Sequence, residues 1–272
     1  MKHAVIMTFP SWKWDEYGFC MRGFIQNWPK EVQGYALVEK PEDIPLDVIP
    51  ENLTILDFDE VCGESIQQFE DRNRSRQEIF NMDSFNPNIR FSAAKFARKA
   101  YAQLHILENI DADVVWYTDA DLFTHQPVSL EMLDSLTSGE AYMGFTPRWW
   151  RKKTPLAASL ENKTLGEKGY TETGLMFWKT KHEKHKEWCS LYRSMYDEDK
   201  IFEFDAWHDC VAFDYATLNL YLNKSIQIVD LGYGQRSNHP LVSGPLGKWF
   251  DHMKGKRKFA GFSHERVRMH GK

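Results

Sequence analysis

VVWYTDADLF, residues 114 to 123, closes an apolar, β-branched and aromatic run with two aspartates one residue apart. The run predicts a buried strand. A carboxylate at the end of such a strand costs free energy unless a cation or hydrogen-bond donors compensate it. Residues two apart on an extended chain point to the same side, so Asp119 and Asp121 face one ligand. The simplest compensator for two convergent carboxylates is a divalent metal ion, which oxygen ligands hold while phosphate oxygens complete its coordination.

Outward from that stretch, strands and helices alternate. AVIMTF (4–9) predicts a first strand, broken by Pro10 and Ser11, and Asp15 is placed to cap a helix to about Asn27 with Phe19, Gly23 and Phe24 inward. GYALVEK (34–40) and LTILDFD (53–59) predict two more strands, the second ending in its own acids, Asp57 and Asp59. Residues 63 to 90 are polar and predict a solvated helix and loop. FSAAKFARKAYAQLHILENI (91–110) predicts a helix capped by Ser92. Phe96, Ala100, Leu104 and Leu107 line its inner face, and Lys95, Arg98 and Lys99 lie on or beside the opposite one. AYMGF (141–145), GLMFWK (174–179) and SIQIVDLG (225–232) predict later strands; Lys181 to Tyr196 and residues 209 to 223 predict helices. The early alternation favours a parallel α/β sheet, with an irregular arm after about Gly234.

Composition narrows the function. The chain has 272 residues, enough for one large α/β domain, and ten tryptophans, which serve either as core or as stacking faces for rings and sugars. A net charge of −5 argues against a general nucleic-acid binder. The exception is residues 248 to 272, where Lys248, Lys254, Lys256, Arg257, Lys258, Arg266, Arg268 and Lys272 face only Asp251 and Glu265. Cys20, Cys62, Cys189 and Cys210 form no C-x-x-C pair, which points to free thiols in a reducing compartment. The first apolar run is too short for a signal peptide, and no stretch approaches a membrane span. A soluble, cytoplasmic protein is expected.

VVWYTDAD resembles the D-x-D strand of GT-A nucleotide-sugar glycosyltransferases. TETGLMFW (171–178) is similar to the turn and strand beneath the sugar in several such families, and FDAWHDCVAFDYA (204–216) to a stretch at the rim of their active site. HPLVSGPLGKWF (239–250) resembles a loosened His…Gly…Lys…Trp signature of the lipopolysaccharide galactosyltransferase and glycogenin group. It has extra residues between His239 and Lys248 and lacks the proline between Lys and Trp.

The resemblance implies an α/β, GT-A (Rossmann-like) mixed central sheet flanked by helices, with a basic C-terminal arm. It implies one domain over 1–272, with a nucleotide-binding half at 1–125, an acceptor half at 126–235 and the arm at 236–272. Mn2+ or Mg2+ would be held by Asp121 and Asp119, with His239 as third ligand and His252 and His264 as competing imidazoles. Asp119 touches the metal or the ribose. The loop 8–14, starting at Thr8, would hold the base of the nucleotide-sugar donor with Trp12 as stacking partner. Arg98 or Lys95 would approach the ribose or phosphates, and Lys248 would clamp the leaving diphosphate. Glu172 would hydrogen-bond the sugar or the acceptor hydroxyl. Asp209 would act as general base, or position the donor if the enzyme retains configuration. WWRKK (149–153) would lie on the acceptor side.

The expected activity is transfer of a hexose or pentose, from a UDP-sugar, to a glycan. The basic arm leaves open a modified base in DNA, as in viral DNA-modifying glycosyltransferases. A phosphohydrolase of the haloacid dehalogenase type fits poorly, because its D-x-D lies near the N-terminus. A non-catalytic nucleotide-sugar or carbohydrate-binding module would keep the fold without turnover.

Overall fold

The computed structural model describes residues 1–11, 14–45, 49–82, 87–148, 154–166, 171–233 and 240–253. The first part of the chain builds β1 (His3–Phe9), α1 (Trp14–Tyr17), α2 (Phe19–Asn27), β2 (Gln33–Val38), β3 (Leu53–Asp57), α3 (Phe58–Arg72) and α4 (Ala93–Asn109). The middle holds β4 (Val114–Thr118), β5 (Leu122–Thr124), α5 (Leu130–Thr137), β6 (Met143–Thr146), α6 (Leu156–Glu161) and β7 (Glu172–Lys179). Last come α7 (His185–Asp197), α8 (Asp209–Tyr221), β8 (Ile228–Asp230), α9 (Pro240–Ser243) and β9 (Phe250–His252).

The central sheet has seven strands in the order β3-β2-β1-β4-β7-β6-β8. β1 pairs in parallel with both β2 and β4, and β6 with β8; β7 runs antiparallel between β4 and β6. The sheet is therefore mixed. The parallel expectation drawn from the early alternation is corrected at β7, whose reversal starts the strand where β4 ends. Every residue of β4 is buried. Val115 and Tyr117 point into the layer under α3, α4, α7 and α8, while Val114 and Trp116 point into the layer under α2 and α5. Burial on both faces is why this strand reads as an unbroken apolar run and not as an alternation.

Several tryptophans prove to be core. Trp116, Trp178 and Trp188 are fully buried, and the Trp116 and Trp188 indoles donate to His3 Nδ1 at 3.2 Å and Thr217 Oγ1 at 3.1 Å. Burial pushes the thiols of Cys62 and Cys189 up to about 12, which makes them inert packing groups. Among the described residues no helix is long and apolar enough to cross a membrane.

Local expectations fail in instructive ways. The helix expected from Asp15 breaks at Gly18, where a Cβ would lie 2.6 Å from the Trp14 carbonyl oxygen; Gly18, not Asp15, caps α2. Ser92 occupies the N-cap of α4 without a side-chain bond. Asp57 caps α3, accepting from Asp59 N at 2.8 Å and Glu60 N at 3.3 Å, so the second acid pair belongs to a helix start. The arm expected to be irregular carries α9 and β9 within residues 240–253. β9 pairs antiparallel with β5 in a separate two-stranded ribbon, with Leu122 opposite His252 and Thr124 opposite Phe250.

Candidate active site

The β1–β4 register ends with Met7 opposite Thr118, so Asp119 emerges beyond the carboxyl edge of the sheet. In open α/β sheets ligands bind at that edge. Three neighbours hold the turn. Asp119 N donates to Gly174 O on β7 at 2.9 Å, and Cys20 N on α2 donates to Ala120 O at 3.3 Å. The β5–β9 ribbon completes the grip, where Met253 N donates to Asp121 O at 2.8 Å.

The side chains meet on this frame. His252 Nε2 lies 3.1 Å from Asp121 Oδ1 and 4.0 Å from Asp119 Oδ2. One ligand atom from each of Asp119, Asp121 and His252 falls within 4.8 Å of the others. Two carboxylates and one imidazole form a donor set that suits a divalent metal ion. Asp119 divides its oxygens: Oδ2 faces His252, while Oδ1 accepts from Lys99 Nζ at 2.7 Å and Tyr117 OH at 3.0 Å.

Lys99 is the residue that sequence reasoning missed. Its ammonium lies 2.7 Å from Asp119 Oδ1 and 2.6 Å from Asp209 Oδ2, with 12% of the side chain exposed. It also stands 4.7 Å from the centre of the Tyr117 ring. Burial pulls its pKa down, but the two carboxylates outweigh burial and hold it well above the usual lysine value. Arg98, one residue back, turns to Glu39 at 3.3 Å and Glu70 at 3.5 Å, and Lys95 lies over the Phe96 ring at 6.0 Å. A signal existed: Lys99 heads a row with Gln103 and Ile106, both fully buried, at helical spacing.

Asp209 opens α8 and is buried. Its Oδ2 accepts from Thr173 Oγ1 at 2.8 Å as well as from Lys99. Burial would raise its pKa, but the charge and hydrogen bond of Lys99 bring it below the usual aspartate value. His208 beside it is held neutral, down to about 4, by burial. Glu172 opens β7, with Oε2 at 2.5 Å from Arg148 and Oε1 at 3.6 Å from His252 Nδ1.

The remaining expectations divide. Thr8 is half-buried within β1, opposite Leu37, and so belongs to the strand and not to a loop. Lys248 is exposed in the turn Pro245–Lys248, its ammonium 4.9 Å from the Trp249 ring. It borders a groove of about 590 Å³ lined by His125, Gln126, Pro127 and Gly244. That groove lies at the opposite end of the β5–β9 ribbon from the acid pair. Trp12, His239, His264, residues 149–153 and the basic stretch from 254 lie outside the described residues.

No family model matches the chain, and no curated protein matches it in sequence. Among solved structures it is similar to mouse xyloside xylosyltransferase 1 in its apo form, with a TM-score of 0.50 and 10% identity over 85% of each chain. The bifunctional glycosyltransferase WbbM gives a TM-score of 0.48 and 13% identity over 84% of this chain and 38% of that one. The glycosyltransferase GlyE of Streptococcus pneumoniae TIGR4 gives 0.43 and 13% over 86% and 46%. A seven-stranded mixed sheet flanked by helices, superposing along most of a xylosyltransferase, gives this chain the GT-A-like glycosyltransferase fold.

Proposed function

We propose that this protein is a metal-dependent glycosyltransferase that moves a hexose or pentose from a UDP-sugar to an acceptor hydroxyl on a glycan. The observation that carries this reading is the convergence of Asp119, Asp121 and His252 beyond the carboxyl edge of β4 in a GT-A-like sheet. Those three side chains would hold Mn2+ (or Mg2+), which when bound neutralises charge on the donor's diphosphate. In this reading His252, one of the competing imidazoles, is the third ligand, because the β5–β9 pairing carries it to the acid pair.

The protein's own groups prepare the site around that ion. Lys99 holds Asp119 by one oxygen and leaves the other directed at His252. Asp209 is buried and bound to Lys99 and Thr173. That setting suits a group that positions its neighbours better than one that removes an acceptor proton, and it supports a retaining transfer. We assign the donor to residues 1–125 and acceptor contacts to 126–235.

Calorimetric titration with UDP, with and without Mn2+, tests the reading. Binding should require the metal and be lost in Asp121→Asn, and a screen of UDP-sugars for slow hydrolysis should then identify the sugar. A folded protein that binds none of UDP, GDP, CDP or TDP in a metal-dependent way would overturn it.

A further inference from the structure

Glu172 and His252 come together from distant parts of the chain. His252 is 2% exposed at its side chain and presents opposite ring nitrogens to two acidic neighbours: Nε2 to Asp121 at 3.1 Å and Nδ1 to Glu172 Oε1 at 3.6 Å. Glu172, 4% exposed, is anchored on its other oxygen by Arg148 at 2.5 Å. Gly174 makes the space. A Cβ there would lie 2.8 Å from His252 Cε1, 3.2 Å from Nδ1 and 3.3 Å from Glu172 Oε1. Any side chain at 174 would wedge into the ring and towards the carboxylate facing it.

We propose that Glu172 is a positioning residue for the metal ligand His252, and that Arg148, Glu172 and His252 form a chain behind the acid pair. This rests on the metal-dependent reading above and deepens it. A metal-bound imidazole is oriented by an acceptor at its second nitrogen, which fixes the tautomer and makes the ligating nitrogen more basic. Glu172 stands where that acceptor belongs, and Arg148 holds its other oxygen and aims the carboxylate. At 3.6 Å the Nδ1–Oε1 contact is longer than a hydrogen bond. A shift of about half an ångström on metal binding brings it within hydrogen-bonding range. The arrangement moves Glu172 away from direct contact with sugar or acceptor and gives it influence through His252.

The test is Mn2+ affinity of the full chain, read from the electron paramagnetic resonance signal of the free ion, in the wild type and in Glu172→Gln. Loss of the orienting carboxylate should weaken Mn2+ by about 10–100-fold, the range typical of such partners. At Mn2+ concentrations that saturate the variant, UDP affinity should match that of the wild type. Wild-type Mn2+ affinity in Glu172→Gln overturns the proposal, as does a variant that loses only the preference for a UDP-sugar over UDP, since that marks direct sugar contact. If loss of the ion pair to Arg148 prevents Glu172→Gln from folding, Gly174→Ala keeps the Arg148–Glu172 pair while crowding His252. The same loss of Mn2+ affinity is expected there, and wild-type affinity again overturns the proposal. Failure of the wild type to bind Mn2+, or unchanged Mn2+ binding in Asp121→Asn, instead sinks the metal site of the preceding section.

Discussion

Burial alone would protonate Asp209 and strip the proton from Lys99; side by side at 2.6 Å they keep each other charged. Breaking a buried pair by removing one partner leaves an uncompensated charge, so Lys99→Met should cost about 3–5 kcal/mol in urea denaturation near neutral pH. The pH dependence should change sign. In the wild type the depressed Asp209 contributes stability that is present above its unfolded value of about 3.9 and lost as pH falls through the lower folded value. The raised Lys99 contributes stability that is present below about 10.4 and lost as pH rises through its higher folded value. In Lys99→Met burial outweighs the Thr173 hydrogen bond and lifts Asp209 above its unfolded value. The metal-free variant should then lose stability as pH rises from 4 towards 7, where the wild type gains or holds it. Urea midpoints across that range decide the matter.

The elements around the acid pair matter through one short ribbon. β5 and β9 have three residues each, and their pairing brings His252 beside Asp121. α2 clamps the ribbon from outside: Gly23 passes so close to β5 that a Cβ would lie 2.5 Å from Thr124 N, and Trp28 Nε1 donates to Thr124 Oγ1 at 2.9 Å. In most helix interiors Gly→Ala stabilises. Here Gly23→Ala must push α2 from β5, and the overpacking should destabilise by about 1–3 kcal/mol. On the proposed metal site, the same variant should weaken Mn2+ because the ribbon carries His252. A urea midpoint raised by Gly23→Ala would show that the two elements separate freely. The strands expected from longer runs, β1 to β4 and β7, formed where the apolar residues stood. β5 and β9 were illegible because three residues display no period and their pairing joins distant segments.

At the scale of the whole molecule, a ligand that binds only the folded state stabilises it by mass action. Mn2+ with UDP at about one hundred times its dissociation constant should raise the unfolding free energy by about 2.7 kcal/mol. Asp121→Asn should unfold as readily with the ligands as without them. Thermal or urea unfolding of both proteins, with and without the pair, reads this directly; an equal shift in the variant would place the ligand elsewhere. The effect is molecular in extent because the site draws on α4, β4, β7, α8 and the ribbon together.

By itself the sequence determined the α/β class, the long strands and helices, and the acid pair with its place at the end of a buried strand. Those are local matters: apolar period, strand length and the cost of a carboxylate beside a core are all written in consecutive residues. Tertiary structure alone decided that β7 runs antiparallel and so delivers Glu172 to the carboxyl edge of β4. It decided that Lys99, and not Arg98, reaches the acids, since one residue along a helix rotates a side chain by about 100°. It also brought His252 to Asp121, because strand pairing is set by register across the sheet and not by distance along the chain.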